Sequence, residues 1–177
     1  DVTLTSLGQV SKTMVEVRTV LTRLADGTIN DEQRDQYEQQ YDQLRTQIER
    51  FIDDATYNER TLLSTDVAAG GGDIVTIRNE QGTTLTLAAF DGALDFVVDA
   101  APVDATAAQT AITGNWTDIN KAINDALNRL GSDSRYVDSQ IGYNRDKLDA
   151  IEGGLGALID ADIAKEAARL QALQIRQ

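Results

Sequence analysis

Two pairs of carboxylates and one run of glycines are the places where this sequence could do chemistry. Asp53 with Asp54, and Asp160 with Asp162, would suit acid–base work or a divalent cation if a third acidic group joined them. Their spacing argues against it. Residues that are adjacent or two apart do not share one helical face, and nothing specifies a further ligand. Both pairs read as structural or capping groups. Gly70-Gly71-Gly72 has the look of a phosphate cradle, but no Lys-Ser/Thr follows, so it is not a nucleotide-binding loop. It reads as a flexible turn before a strand. Asn120 and Asn124 share one side of a helix near its start, where asparagines face solvent. Histidine and cysteine are both absent. That removes the usual base near neutral pH, the commonest metal ligand, the thiol nucleophile and disulfides. The expectation is therefore a non-enzymatic chain with no catalytic, cofactor-binding or metal-binding residue, and no cofactor.

Composition narrows the partners. The 177 residues carry a formal charge of −13, with 29 acidic against 16 basic side chains. Phosphate backbones are held by clustered Lys and Arg, so nucleic acid is not expected as a partner. Neither is a membrane, because no apolar run reaches spanning length. Residues Asp1 to Gly8 lack the basic-then-apolar order of a cleavable signal peptide. Hydrophobic residues make up 41% of the chain, which is enough for a core.

The elements follow from periodicity. The longest pattern runs from Trp116 to Leu155, through Ile119, Ile123, Ala126, Leu130, Val137, Ile141, Leu148 and Ile151. Most steps are three, four or seven residues, which keeps one seam on one side of a helix. Forty residues of helix would extend roughly 60 Å. So narrow a seam needs partner helices lying nearly parallel to it.

Residues 1–25 repeat the pattern through Leu4, Leu7, Val10, Met14, Val17, Leu21 and Leu24. Asp26-Gly27 should stop this helix, with Gly27 at positive φ. Asn30 is placed to cap the next helix, with Gln33 at its third position. That second helix should span about 31–54, with Tyr37, Tyr41, Leu44, Ile48, Phe51 and Ala55 as its stripe. Leu62 and Leu63 should anchor the following segment to the core.

Ile74 to Arg78 and Thr84 to Leu87, around Asn79-Glu80-Gln81-Gly82, read as a β-hairpin. Phe96-Val97-Val98 is a candidate third strand, and 100–113 reads as a return loop or a poorly formed helix start. Asn115 is a plausible cap for the long helix, with Asp118 at N3. Gly131 and Gly142 weaken that helix and are candidate points of close helix contact. Gly153, Gly154 and Gly156 should break it, and Asp160 should then cap a last helix over 161–177. The core is expected to include Leu44, Ile48, Ile123, Leu130 and Ile141. The fold class is mainly α: an elongated antiparallel helical bundle with a small β-hairpin insert. Its parts are 1–72 (two helices and a connector), 73–115 (the β insert and return segment) and 116–177 (the second helical half and a junction helix).

Several segments carry a resemblance. Asp160 to Gln177, with Gly154 to Ile159 before it, is similar to the C-terminal region of bacterial flagellin, most of all the alphaproteobacterial type. Val17 to Leu21 followed by Ala25 to Asn30 resembles the turn between that family's two N-terminal rod helices. Ala55 to Leu63 resembles the segment leading toward its β-hairpin. The matches fall in the family's order. The resemblance implies a D1-like rod in which the two ends of the chain lie together, truncated at both termini, with a small insert in place of large outer domains.

What the resemblance implies for function is a structural subunit of the flagellar filament, secreted and polymerised outside the cell for motility. Its partners would be other flagellin subunits and an export chaperone bound through the missing terminal region. The fragment itself is expected to be monomeric. The alternatives are a hook–filament junction protein, or another extracellular helical structural protein or adhesin. The resemblance also implies a ridge around Val17 to Val20 that meets an animal innate receptor. Glu16 stands there for an arginine and Gln40 for a glutamate, so recognition should be weakened, while Val20 should keep part of an apolar contact.

Overall fold

The computed structural model describes residues 1–79 and 81–175. Their order is α1 (Val2–Leu24), α2 (Asp31–Asp53), a 3-10 turn (Val67–Ala69), β1 (Ile74–Ile77), β2 (Thr84–Leu87), α3 (Gly92–Asp95), α4 (Ala105–Thr113) and α5 (Asn115–Ile175). Glu80 of the expected hairpin turn, and Arg176 and Gln177 at the end of the expected last helix, lie outside the described residues. The architecture is a mainly helical bundle with a small antiparallel β-hairpin. The chain divides into two compact units, 1–134 and 135–177.

The first unit holds the core. α1 and α2 pack against each other and contribute Leu7, Val10, Met14, Val17, Leu21 and Leu24 from one side, and Tyr41, Leu44 and Ile48 from the other. The first half of α5 closes the core with Ile119, Ile123, Ala126 and Leu130, all buried. These are the positions the three- and four-residue steps select. Burial of a Leu or Ile side chain stabilises the folded state by about 1.5–3 kcal/mol, so this row dominates the packing of the unit.

The turn between α1 and α2 is built locally. Asn30 accepts from the Gln33 N–H at 2.8 Å, and the Gln33 side chain accepts in return from the Asn30 N–H at 3.2 Å. This is the reciprocal capping box. Gly27 does not take positive φ. α1 instead ends at Ala25 in the right-handed region. The Thr28 hydroxyl and N–H both donate to Asp26 and hold its carboxyl below the usual carboxylate range. Arg34 donates to the Leu24 carbonyl at 3.2 Å, so a cation meets the C-terminal end of α1.

The insert leans on the same core. β1 and β2 pair antiparallel, with Ile74 opposite Leu87 and Ile77 opposite Thr84. Asp73 accepts from the Ala89 N–H at 2.8 Å and holds the base of the hairpin. Leu62 and Leu63 are buried, and their carbonyls accept from Phe90 and Gly92. A Cβ on Gly92 would stand 2.3 Å from the Leu63 oxygen, so this close approach admits only glycine.

The structure corrects several expectations. Phe96-Val97-Val98 is not a strand. Phe96 and Val98 are buried singly from irregular chain, so hydrophobic burial rather than strand pairing explains their composition. Residues 105–113 form a true helix, α4, which packs on α1. Asp104 caps it by accepting from the Ala107 N–H at 2.7 Å. Asn115 is not a cap. Its side chain donates to the Val97 carbonyl at 3.1 Å and accepts from the Asp99 N–H at 3.3 Å, tying the insert to the start of α5.

Nor does α5 break at Gly153, Gly154 and Gly156. It runs unbroken from Asn115 to Ile175, so Asp160 lies inside a helix and caps nothing. Each glycine costs about 1 kcal/mol relative to alanine, but strong helix formers surround them, including Ala157, Leu158, Ala161, Ala164, Ala167 and Ala168. Gly131 and Gly142 mark no close contact, since a Cβ on either would meet nothing within 4 Å. Ile141 is not a core residue, being 44% exposed. It lies in the second unit, where none of the described residues is buried.

Candidate assembly surface

The residues with chemical potential are kept apart. Asp53 and Asp54 are exposed at the end of α2, and Asp160 and Asp162 are exposed within α5. Among the described residues no group of three or more His, Cys, Asp or Glu stands close enough to hold a metal ion. The glycine run is spent on its own turn. The N–H of Gly70 donates to Val67, that of Gly71 to Asp66 at 2.8 Å, and that of Gly72 to Ser64 at 2.7 Å. None of the three is left for a phosphate. Asn124 donates to the Asn120 carbonyl within α5. Tyr41 is buried, and burial, then the negative charge of Asp99, pushes its phenol up to about 12. It is a neutral core group.

What the structure presents instead is surface for packing. The second unit, from 135, is the C-terminal part of α5, and none of its described residues is buried. Ile141, Leu148, Ile151, Leu155, Ile159, Ile163, Leu170 and Leu173 follow at steps of three, four or seven. Leu148 is 59% exposed, Leu155 55% and Ile163 63%. A helix draws most of its stability from packing its apolar face. Within this unit that row has no cover among the described residues. Among the described residues no helix is long and apolar enough to cross a membrane, and charged residues of both signs, among them Asp146, Asp149, Asp160, Lys165 and Arg169, alternate with the row.

Interactions that the apolar pattern did not reveal fix the first unit. The Trp116 indole donates to the Met14 carbonyl at 2.7 Å, and Arg18 lies over the same ring at 4.8 Å. Arg129 donates to the Ala88 carbonyl at 2.6 Å and covers the Phe90 ring at 4.5 Å, joining α5 to the insert. Asp104 just before an alanine- and threonine-rich run was the available signal for α4. The arginine–aromatic pairs had none, because they join residues far apart in sequence. At the expected ridge, Glu16 on α1 and Gln40 on α2 are exposed, but Val17 and Val20 are buried. The apolar contact expected of Val20 is therefore made inside the core.

No protein-family model matches the chain. Curated proteins do. It is 36% identical over 114 residues to flagellin FljJ of Caulobacter vibrioides, covering 63% of this chain and 38% of that protein. It is 29% identical over 157 residues to flagellin FljM of the same organism, covering 86% and 55%. The flagellin of Bartonella bacilliformis is 48% identical over 52 residues, 29% of this chain and 14% of that protein. The chain spans about half the length, or less, of the curated relatives it matches. Among solved structures, Bacillus cereus flagellin superposes with a TM-score of 0.71 at 27% identity, over 78% of this chain and 80% of that one.

Proposed function

This is a flagellin-family chain, and from that premise we propose that it is the helical part of a filament subunit, exported and polymerised outside the cell. The role is structural and not enzymatic. Its partners are other copies of the subunit, with an export chaperone engaging the protein during secretion. In this reading 1–72 and 116–177 are the two halves of the subunit's helical part, and 73–115 is its small outer insert.

One observation carries the reading: the apolar row from Ile141 to Leu173. Such a row, interspersed with charged side chains of both signs, is of use where other helices cover it, as in an assembly. The similarity to several Caulobacter flagellins and to a solved flagellin supports the same conclusion.

The test is to place charge in the row of the full-length protein. Leu155→Asp and Ile159→Asp remove two apolar contacts and put carboxylates where packing is required. Secretion should persist while filament mass is lost, as read by sedimentation of sheared filaments. Filaments of normal yield and stability from the double variant would overturn the assembly role of this row.

A further inference from the structure

An aspartate followed by glycine is open to rearrangement of the main chain, because glycine brings no side chain to shield its nitrogen. The chain has two such steps, Asp26-Gly27 and Asp91-Gly92. The fold treats them differently.

At Asp91-Gly92 the attacking nitrogen is engaged. The Gly92 N–H donates to the Leu63 carbonyl at 3.1 Å, and Gly92 is buried with its Cα close against that carbonyl. A ring closing there would have to break this bond inside the core. At Asp26-Gly27 nothing comparable stands in the way. Both residues are exposed in the link between α1 and α2. The Gly27 N–H donates to no protein group among the described residues. The Thr28 N–H and hydroxyl both donate to Oδ1 of Asp26, at 2.9 and 2.7 Å. This Asx turn lays the carboxyl alongside the Gly27 peptide, and neither bond uses Oδ2.

We propose that Asp26-Gly27 is a site of spontaneous isoaspartate formation in the folded protein. The Gly27 nitrogen loses its proton and bonds to Cγ of Asp26 while Oδ2 leaves as water, which gives a five-membered succinimide. Water then opens the ring at either carbonyl. Opening at Cγ restores aspartate. Opening at the main-chain carbonyl leaves the chain running through Cγ, with one more methylene in the backbone and a carboxylate on Cα. No co-reactant other than water is needed. The Thr28 bonds hold the carboxyl ionised near neutral pH, and the acid form is the one that sheds water, so the change is slow and accumulates with the age of the molecule. It displaces the acceptor of both Thr28 bonds, two positions before the Asn30 cap, and loosens the link that sets α1 against α2. The chemistry belongs to this chain whether or not it assembles.

The purified chain and its Gly27→Ala variant are stored folded in neutral buffer and sampled over weeks. Alanine fits at 27, where a Cβ would meet nothing within 4 Å and φ is not positive, and circular dichroism checks that the variant folds. A protein isoaspartate methyltransferase with labelled S-adenosylmethionine marks the modified sites. Trypsin then separates the two steps, since peptide 24–34 carries Asp26 and peptide 79–121 carries Asp91. The expected result is label that grows with storage in 24–34, placed at Asp26 by fragmentation. Peptide 79–121 should stay unlabelled, and most of the label should be lost in Gly27→Ala. Storage in guanidinium chloride, which frees the Gly92 nitrogen, should bring label to both peptides. Label in the folded protein that is absent from Asp26, equal at the two steps, or unchanged in Gly27→Ala overturns the proposal.

Discussion

The indole of Trp116 and the backbone carbonyl of Met14 are joined by a 2.7 Å hydrogen bond that spans 102 positions of sequence. It fixes the start of α5 on the middle of α1, and Arg18 stacks over the same ring. The bond joins α1 to the first part of α5 within the core of the first unit.

Trp116→Phe keeps a ring under Arg18 but removes the donor. A hydrogen bond of this kind is worth about 0.5–1.5 kcal/mol net, and the smaller ring adds a modest packing loss. Urea unfolding followed by circular dichroism should show a lowered midpoint with an unchanged slope. A midpoint equal to wild type would mean that the contact contributes nothing.

The two parts of the α5 seam should respond differently. Ile123 is fully buried, and Ile123→Ala should destabilise this chain by about 2–5 kcal/mol. Ile141 is 44% exposed, and Ile141→Ala should change stability by no more than about 0.5 kcal/mol. Equal losses at the two sites would show that the outer seam is covered in solution.

Tyr41 gives a pH signature. Its phenol, ordinarily at 10.0, is raised to about 12 in the fold. Between these values the unfolded chain has lost the proton and the folded chain keeps it, so the unfolded state is favoured as pH rises. This contribution is complete below pH 10.0 and is lost progressively toward pH 12. Tyr41→Phe should flatten that part of the stability profile relative to wild type. Parallel profiles for the two proteins over that range would refute the assignment.

The legible parts of the fold were those written in local spacing. The capping box at Asn30 and Gln33, the stripes of α1 and α2, and the hairpin with its turn each depend on residues a few positions apart. The limits of the core were not local. Ile123 and Ile141 share one periodicity, yet Ile123 is buried in the first unit and Ile141 is exposed in the second, and local spacing does not carry that difference. The glycines at 153, 154 and 156 misled for a related reason: their cost is set against the helix formers around them, and a single-residue signal does not carry that balance. Phe96 and Val98 looked like strand residues because burial selects the same side chains that pairing does. The exposed apolar row of the second unit was legible as a helical spacing through Ile141, Leu148, Ile151 and Leu155, whereas the arginine–aromatic contacts of Trp116 and Phe90 join residues with no sequence proximity to announce them.

The most direct test of the central claim is complementation. A motile bacterium deleted for its own flagellins is given the full-length gene, and its surface is viewed by electron microscopy while secreted protein is measured in the medium. The account predicts filaments that contain the protein and restored swimming. Abundant secreted protein with hooks but no filaments would contradict it and favour a junction or adhesin role.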